Sequence, residues 1–415
     1  MTVQPRTPQG VLELLPPQQL AFQHMLDTIR RGFERFGFVP VETPVFELTR
    51  VLLTKSGGET ERQVYFVQST GALEKGEDKR PELALRFDLT VPLARFYATH
   101  RAELPSVFRA IQVAPVWRAE RPQKGRFRQF IQCDIDIMGE PGIAAEAELL
   151  SATLATVDAL GLGDASIRVN DRRLLIGMLE GFRFAPSDQD AVLITIDKLD
   201  KIGPDGVIAE LRERGVAAGA VDALETFLRR PMTMEFLPFG EAAIRKALPP
   251  DPDAAVIADL VALGDAVGPD RLAFDPFLVR GMGYYTGPIF ELAHPSVDYS
   301  LGGGGRYDGM IGRFLGSEVP ATGFSLGFER LVELVEPADV RDAESIVLVY
   351  DAEVPLATLL GIQAALIANG SRVRLVARPK SLKTTLDALA AEGFTRFASV
   401  DAASTAETLE FKDFT

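Results

Sequence analysis

Arg86-Phe87-Asp88-Leu89-Thr90 places a guanidinium, a carboxylate and a hydroxyl at alternate positions of a run whose other members are apolar. On a strand, period-two spacing directs Arg86, Asp88 and Thr90 to one face and Leu85, Phe87, Leu89 and Val91 to the other. The pattern returns downstream, where Gln132, Asp134 and Asp136 alternate with Ile131, Cys133, Ile135 and Ile137. If both polar faces line one cavity, they could hold a ligand ammonium and hydrogen-bond a polar ring. One such face alone is ordinarily a solvated sheet surface. Two, each backed by an apolar reverse side, favour a pocket.

Arg118, Arg126, Arg128, Arg280 and Arg330 fall in sheet-like or glycine-rich stretches, where a lone arginine is poorly placed. Polyphosphate is the simplest partner, because the planar guanidinium fork binds phosphate oxygens bidentately and stabilises charge growing at phosphorus. For any single arginine the competing role is a surface ion pair with one of the 58 acidic residues. No GxxxxGK[ST] loop exists, and Gly302-Gly303-Gly304-Gly305-Arg306 is not a GxGxxG turn opening a helix, so P-loop and Rossmann phosphate binding are disfavoured. Four glycines in a row mark a close approach of ligand or backbone. Tyr284-Tyr285 sits in a strand-like run, so one ring would reach the pocket while the other braces the core, unless both serve only as strand formers.

These residues need elements to carry them. Pro17 to Phe36 has a helical apolar period, and Gly37 to Val41 reads as a strand. Glu82 to Val91 reads as a half-buried strand, and Arg109 to Gly139 as two antiparallel strands around the basic loop Arg121 to Arg126. Ala144 to Leu160 is helical, and residues 172–272 read as a helical, acidic insertion between sheet strands. Phe274 to Leu292 and Tyr299 to Phe328 return to strand character. A linker at 337–344 separates residues 1–336 from a small α/β domain at 345–415, read as strand, helix, strand, helix, strand. The fold class is α/β (α+β), with an antiparallel sheet core flanked by helices.

The composition is that of an ordinary globular protein, with 47% hydrophobic and 25% charged residues among 415. The single cysteine, Cys133, excludes an internal disulfide and a cysteine-built metal site, and three scattered histidines argue against a histidine-centred metal or triad. No apolar run approaches the ~18 residues of a membrane span, so a cytoplasmic location and no membrane partner are expected. A net charge of -14 deters polyanions unless basic residues are gathered locally. They are gathered twice: five basic residues lie between Trp117 and Gln129, and Arg372, Arg374, Arg378, Lys380 and Lys383 follow one another with no acid between them. For the second group a solvated helix and loop face remains an equal reading.

Glu42-Thr43-Pro44-Val45-Phe46-Glu47, WRAERPQKGRFRQF from Trp117 to Phe130, and GFSLGFER from Gly323 to Arg330 resemble, in this order, the three signature motifs of class II aminoacyl-tRNA synthetases. LVRGMGYYTG from Leu278 to Gly287 and GGGRYDG from Gly303 to Gly309 are similar to strings particular to the histidyl-tRNA synthetases. The resemblance covers nearly the whole chain. It implies a class II catalytic core, a homodimer through the first motif, and the formation of histidyl-adenylate from L-histidine and ATP followed by transfer to tRNA(His). Asp88, Leu89, Thr90, Arg118, Gln132, Asp136, Arg280, Tyr284 and Tyr285 would then contact histidine. Arg118, Glu120, Arg126 and Arg330 would contact ATP, with Mg²⁺ on the pyrophosphate portion, and Arg118 and Arg280 would be catalytic. No protein ligand to a metal is assigned.

The chain departs from the family in having Gly283 where an aspartate usually precedes the paired tyrosines. Its C-terminal domain resembles the family's anticodon-binding module, ending before an expected last strand and helix. Two other functions share these features: the histidine-sensing regulatory subunit of ATP phosphoribosyltransferase, which lacks much of the arginine set, and a synthetase-like ligase that does not act on tRNA. Histidine-dependent exchange of pyrophosphate into ATP separates the first, and tRNA charging the second.

Overall fold

The computed structural model describes residues 3–53, 63–71, 80–122, 125–230, 237–280, 283–335 and 344–414. Residues 1–12 with 27–335 form one compact unit, and 13–26 with 336–415 a second. The expected linker at 337–344 lies outside the described residues except for Glu344.

The first unit is built on a nine-stranded sheet in the order β1-β5-β6-β12-β11-β10-β7-β9-β8. Its strands are β1 (Val39–Pro40), β5 (Phe108–Trp117), β6 (Gln129–Met138), β7 (Ser166–Asp171), β8 (Leu237–Pro238), β9 (Leu272–Phe274), β10 (Pro288–Ala293), β11 (Gly302–Arg306) and β12 (Ala321–Gly327). The β1–β5 and β7–β9 pairs are parallel and the rest antiparallel. A separate sheet, β2-β4-β3, is formed by β2 (Phe46–Leu48), β3 (Phe66–Val67) and β4 (Leu83–Leu85). The alternation read in β6 holds: Cys133, Ile135 and Ile137 are fully buried on one side, and Gln132, Asp134 and Asp136 line a cavity on the other.

The glycine run is β11, and neighbouring strands crowd it. A Cβ on Gly304 would lie 1.8 Å from the Gly323 carbonyl oxygen of β12, so only glycine fits. Helix Pro16–Glu34 places Ile29 and Phe33 in the core one turn apart, and Gly32 packs so closely that a Cβ there would meet Thr156 Oγ1 of helix Ala144–Ala159 at 2.5 Å. Among the described residues no helix is long and apolar enough to cross a membrane.

The insertion leaves the sheet after β7 and returns to it at β9, which pairs with β7 in parallel. Helices Arg172–Gly181, Pro186–Ile196, Leu199–Glu213, Ala218–Leu228, Glu241–Ala247 and Ala254–Val267 occupy it, and its first helix starts where Asp171 accepts from the Arg173 amide. It is not wholly helical, because β8 adds to the sheet edge at β9.

Three strand expectations are corrected. The run Glu82 to Val91 is a strand only to Leu85, and Thr90 opens helix Thr90–His100, whose early Pro92 suits a first turn. Phe274 to Leu292 is strand only in β9 and β10, with Tyr284 in a turn and Tyr285 in the irregular stretch after it. Tyr299 to Phe328 contains helix Gly309–Leu315 between β11 and β12.

In the second unit, β13 (Ser345–Tyr350), β14 (Arg372–Ala377) and β15 (Arg396–Val400) are parallel, with helices Leu356–Ala368 and Leu382–Ala391 between them. A fourth strand, β16 (Lys412–Asp413), pairs antiparallel to β15 and was not expected from the sequence.

Candidate functional site

A cavity of about 1630 Å³ opens on the polar face of the large sheet. Asp88, Thr90, Arg118, Glu120, Arg126, Gln132, Asp136, Arg280, Tyr284, Tyr285 and Arg330 all line it, although they come from segments more than 200 residues apart. Leu89 does not: its side chain is fully buried, and its carbonyl accepts from Gln112 Nε2 at 3.1 Å. Arg128 also lies elsewhere, with Nε on the Glu120 carbonyl at 3.1 Å, bracing the loop instead of meeting a ligand. Arg86 is a structural arginine, 1% exposed, donating to the Pro115 carbonyl at 3.0 Å and the Thr43 carbonyl at 2.6 Å. Both tyrosines face the cavity, with ring centroids 4.7 Å apart, because a turn does not alternate as a strand does. Of the string around them, Gly281 and Met282 lie outside the described residues.

One part of the cavity is acidic. Burial pushes Asp88 up to about 6, opposed by the Val91 amide and by Arg118 and Arg313. Burial likewise lifts Asp136 to about 7, against a 2.5 Å hydrogen bond from the Tyr307 hydroxyl. Asp134 is held well above the ordinary carboxylate range by burial and by Asp136. Three carboxylates crowded in this way favour a cation among them. Gln132 Nε2 donates to Ser325 Oγ at 2.9 Å, while Gln132 Oε1 and Asp136 Oδ2 are buried acceptors with no partner among the described residues. Leaving such an acceptor unpaired costs about 1–3 kcal/mol, so the pair is suited to a ligand with N–H groups to give.

The other part is basic. Burial lowers the Arg330 pKa, and Arg126, Arg280 and Arg118 push the same way. Four mutually repelling guanidiniums around one space are relieved by an anion. Arg330 Nη1 donates to the Ser300 carbonyl at 2.6 Å, and its guanidinium lies 5.9 Å from the Tyr299 ring centre. Arg118 spends Nε on the Phe87 carbonyl at 3.0 Å and stacks 4.9 Å from the Phe130 ring centre. Its charge acts on both Asp88 and Arg330, so it is within electrostatic reach of both parts.

Glycines make room for the functional side chains. A Cβ on Gly323 would lie 2.0 Å from Asp136 Oδ1, one on Gly305 2.9 Å from the Tyr285 ring, and one on Gly303 2.0 Å from Arg280 Nη2. Gly283 has open space around it.

Several cavity residues were not singled out from the sequence, including Tyr307, Arg313, Glu329 and the Arg168–Glu291 pair. Tyr307 and Glu329 lie inside the GGGRYDG and GFSLGFER strings, which carried them without a role of their own, and Arg313 follows the glycine run closely. Burial raises Glu329 to about 7 while its carboxylate accepts from the Ile131 amide at 2.9 Å.

The second basic group is partly neutralised. Arg374 pairs with Glu392 and Arg378 with Asp351, and Arg372 and Arg374 both lie over Phe394, so that exposed Arg372, Lys380 and Lys383 keep charges without an ion pair among the described residues.

A family model described as Histidyl-tRNA synthetase matches residues 10–331. A relative named Histidine--tRNA ligase from Leifsonia xyli subsp. xyli is 51% identical, covering 98% of this chain and 98% of its own. One of the same name from Stenotrophomonas maltophilia is 41% identical over 92% of this chain and 87% of its own. Among solved structures, a histidyl-tRNA synthetase from Nostoc sp. PCC 7120 aligns with a TM-score of 0.79 at 28% identity, covering 99% of this chain and 95% of that one.

Proposed function

The chain belongs to the histidyl-tRNA synthetase family, and from that premise we propose that the cavity binds L-histidine in its acidic part and ATP in its basic part and joins them. The activity is that of a histidine–tRNA ligase. The observation that carries the site assignment is the meeting, in one cavity, of two buried acceptors without a partner among the described residues and the arginines Arg118, Arg126, Arg280 and Arg330.

Asp88 and Asp136 offset the α-ammonium charge, and Gln132, Thr90, Tyr284 and Tyr285 orient the amino acid and its imidazole. A carboxylate oxygen of histidine attacks the α-phosphorus of ATP, the bond to the bridging oxygen breaks, and pyrophosphate leaves. Negative charge grows on the α-phosphate oxygens, where Arg118 and Arg280 act, each such donor typically contributing ~2.7–4 kcal/mol. Arg330 packs on the adenine, with Arg126 and Glu120 near the nucleotide's phosphates. A terminal ribose hydroxyl of tRNA(His) then attacks the adenylate carbonyl and AMP leaves.

Among the described residues no cluster of three or more His, Cys, Asp or Glu side chains could cage a metal. Mg²⁺ needs no such cage, because it binds through phosphates, waters and one or two carboxylates. Glu120, only loosely paired with Arg126 at 3.5 Å, would hold it, and the ion would neutralise charge on the departing pyrophosphate.

A homodimer accompanies this function. Phe46, Leu48 and Leu83 are exposed on the β2–β4 sheet beside exposed Val45, an apolar surface that a second copy would cover. Residues 1–336 form the catalytic domain and 345–415 an anticodon-binding-like domain, acting in the cytoplasm where tRNA is charged. The test is charging itself: purified protein with ATP, Mg²⁺ and radiolabelled histidine should form acid-precipitable histidyl-tRNA. Formation of adenylate without histidyl-tRNA would assign the chain to a ligase with another acceptor.

A further inference from the structure

Arg280 Nη1 donates to Glu291 Oε2 at 2.8 Å, and the other oxygen of that carboxylate, Oε1, accepts from Arg168 Nη1 at 2.9 Å. One carboxylate is thus divided between two guanidiniums. The sheet register sets this up: Arg168 on β7 stands directly across from Glu291 on β10, and Glu291 directly across from Gly303 on β11. Three neighbouring strands present a cation, an anion and a gap in one row, and the guanidinium of Arg280 lies over the gap. Arg168 donates through Nη2 to Asp275, which in turn accepts from the Phe277 amide at 3.0 Å, within the segment leading to Arg280. Asp200 of helix Leu199–Glu213, in the insertion, comes within 4.0 Å of Arg168. Arg168, Asp275 and Glu291 all line the cavity.

A long arginine side chain left to rotate must be ordered anew each time charge develops on a phosphate. A carboxylate that holds it in place removes that reorganisation, and fixed supporting groups are what make such a donor effective. A glutamate with no other cation near it would be drawn fully onto Arg280 and cancel its charge. Arg168 competes for the same carboxylate, so Glu291 can orient Arg280 while leaving positive charge for the phosphate.

We propose that Arg168 and Glu291 are positioning residues for adenylate formation, which hold Arg280 over Gly303 in the orientation that meets the α-phosphate. This rests on the assignment of Arg280 made above. Neither Arg168 nor Glu291 falls in the family strings read from the sequence, and they lie 123 residues apart along the chain.

The test is a double-mutant cycle on the full chain, read by histidine-dependent pyrophosphate exchange and by melting temperature. Arg168→Met is expected to lower kcat about tenfold while KM for histidine and for ATP stays within about twofold. Arg168→Lys should recover most of the rate. Added to Arg280→Gln, Arg168→Met should cost less than about a further twofold, because its effect passes through the residue already removed. Losses that multiply, a loss confined to KM, or a wild-type rate for Arg168→Met would each overturn the proposal. If Arg168→Met does not fold, Glu291→Gln, which keeps the side-chain shape, takes its place in the cycle and is read in the same way. An unimpaired Arg280→Gln would refute the assignment of Arg280 itself. An impaired Arg280→Gln beside unimpaired Arg168→Met and Glu291→Gln would refute only the positioning roles.

Discussion

Arg280 occupies the space that a side chain at Gly303 would need, since a methyl group at that position would lie 2.0 Å from its Nη2. Glycine at this position leaves room both for an arginine from a different segment and for the Phe290 carbonyl of the neighbouring strand, 2.6 Å from where the methyl would lie. Gly303→Ala should displace the guanidinium and slow adenylate formation at least about tenfold, as a shift near 1 Å at a reacting group can. Overpacking would also cost about 1–3 kcal/mol of stability. Exchange kinetics beside a urea titration measure the two effects, and an unimpaired variant would show that Arg280 has another productive position.

The raised carboxylates predict a pH dependence. Asp88 and Asp136, ordinarily near 3.8, rise to about 6 and about 7 in the folded chain. Between about pH 4 and 7 the folded state then binds more protons than the unfolded one, so these groups make the empty protein less stable as pH rises through that window. Asp136→Asn should flatten the fall in melting temperature across it. The same substitution should weaken histidine binding most above about pH 7, where the native carboxylate is charged. Calorimetry of both proteins across the range checks this, and parallel stability curves would place the titration on other groups.

Tyr307→Phe removes the hydroxyl that holds Asp136 at 2.5 Å. Without that bond the carboxyl titrates at higher pH, so histidine affinity near neutrality should fall and recover as pH is raised. A loss of affinity independent of pH would mean that the hydroxyl contacts the ligand directly.

Arg86→Met should be a stability variant. The buried side chain serves the Thr43 and Pro115 carbonyls, and its loss leaves those acceptors unpaired at a cost of about 3 kcal/mol or more. Denaturant unfolding measures it, and a loss below about 1 kcal/mol would point to water filling the gap.

Phe46→Glu tests the dimer. A charge on the exposed apolar sheet of Phe46, Leu48 and Leu83 should shift a homodimer towards monomer in sedimentation without unfolding the chain. An unchanged sedimentation coefficient at the dimer value would move the interface elsewhere.

What the sequence revealed follows from how local the cause is. β6 was legible because a ten-residue strand with an apolar face and a polar face keeps a strict period of two. The same alternation misled at Arg86, which is buried although it was assigned to the polar face, and the strand stops at Leu85; for Leu89 the apolar-face reading held, and it was the resemblance that implied a histidine contact. Tyr284 and Tyr285 were misassigned to opposite faces for a related reason, since a turn carries no alternation. The glycine run announced a close approach but not what approached, because Arg280 reaches it from outside the strand. Arg168 and Glu291 gave no signal at all, as their meaning exists only once β7 and β10 are side by side.

Histidine-dependent exchange of pyrophosphate into ATP, compared between the natural chain and Arg280→Gln, bears most directly on the joined acidic and basic site. The natural chain should exchange only when histidine is present, and the variant should run at least about tenfold slower with nearly unchanged histidine affinity. Exchange that needs no histidine, no exchange at all, or an equal loss of histidine binding in the variant would contradict the account.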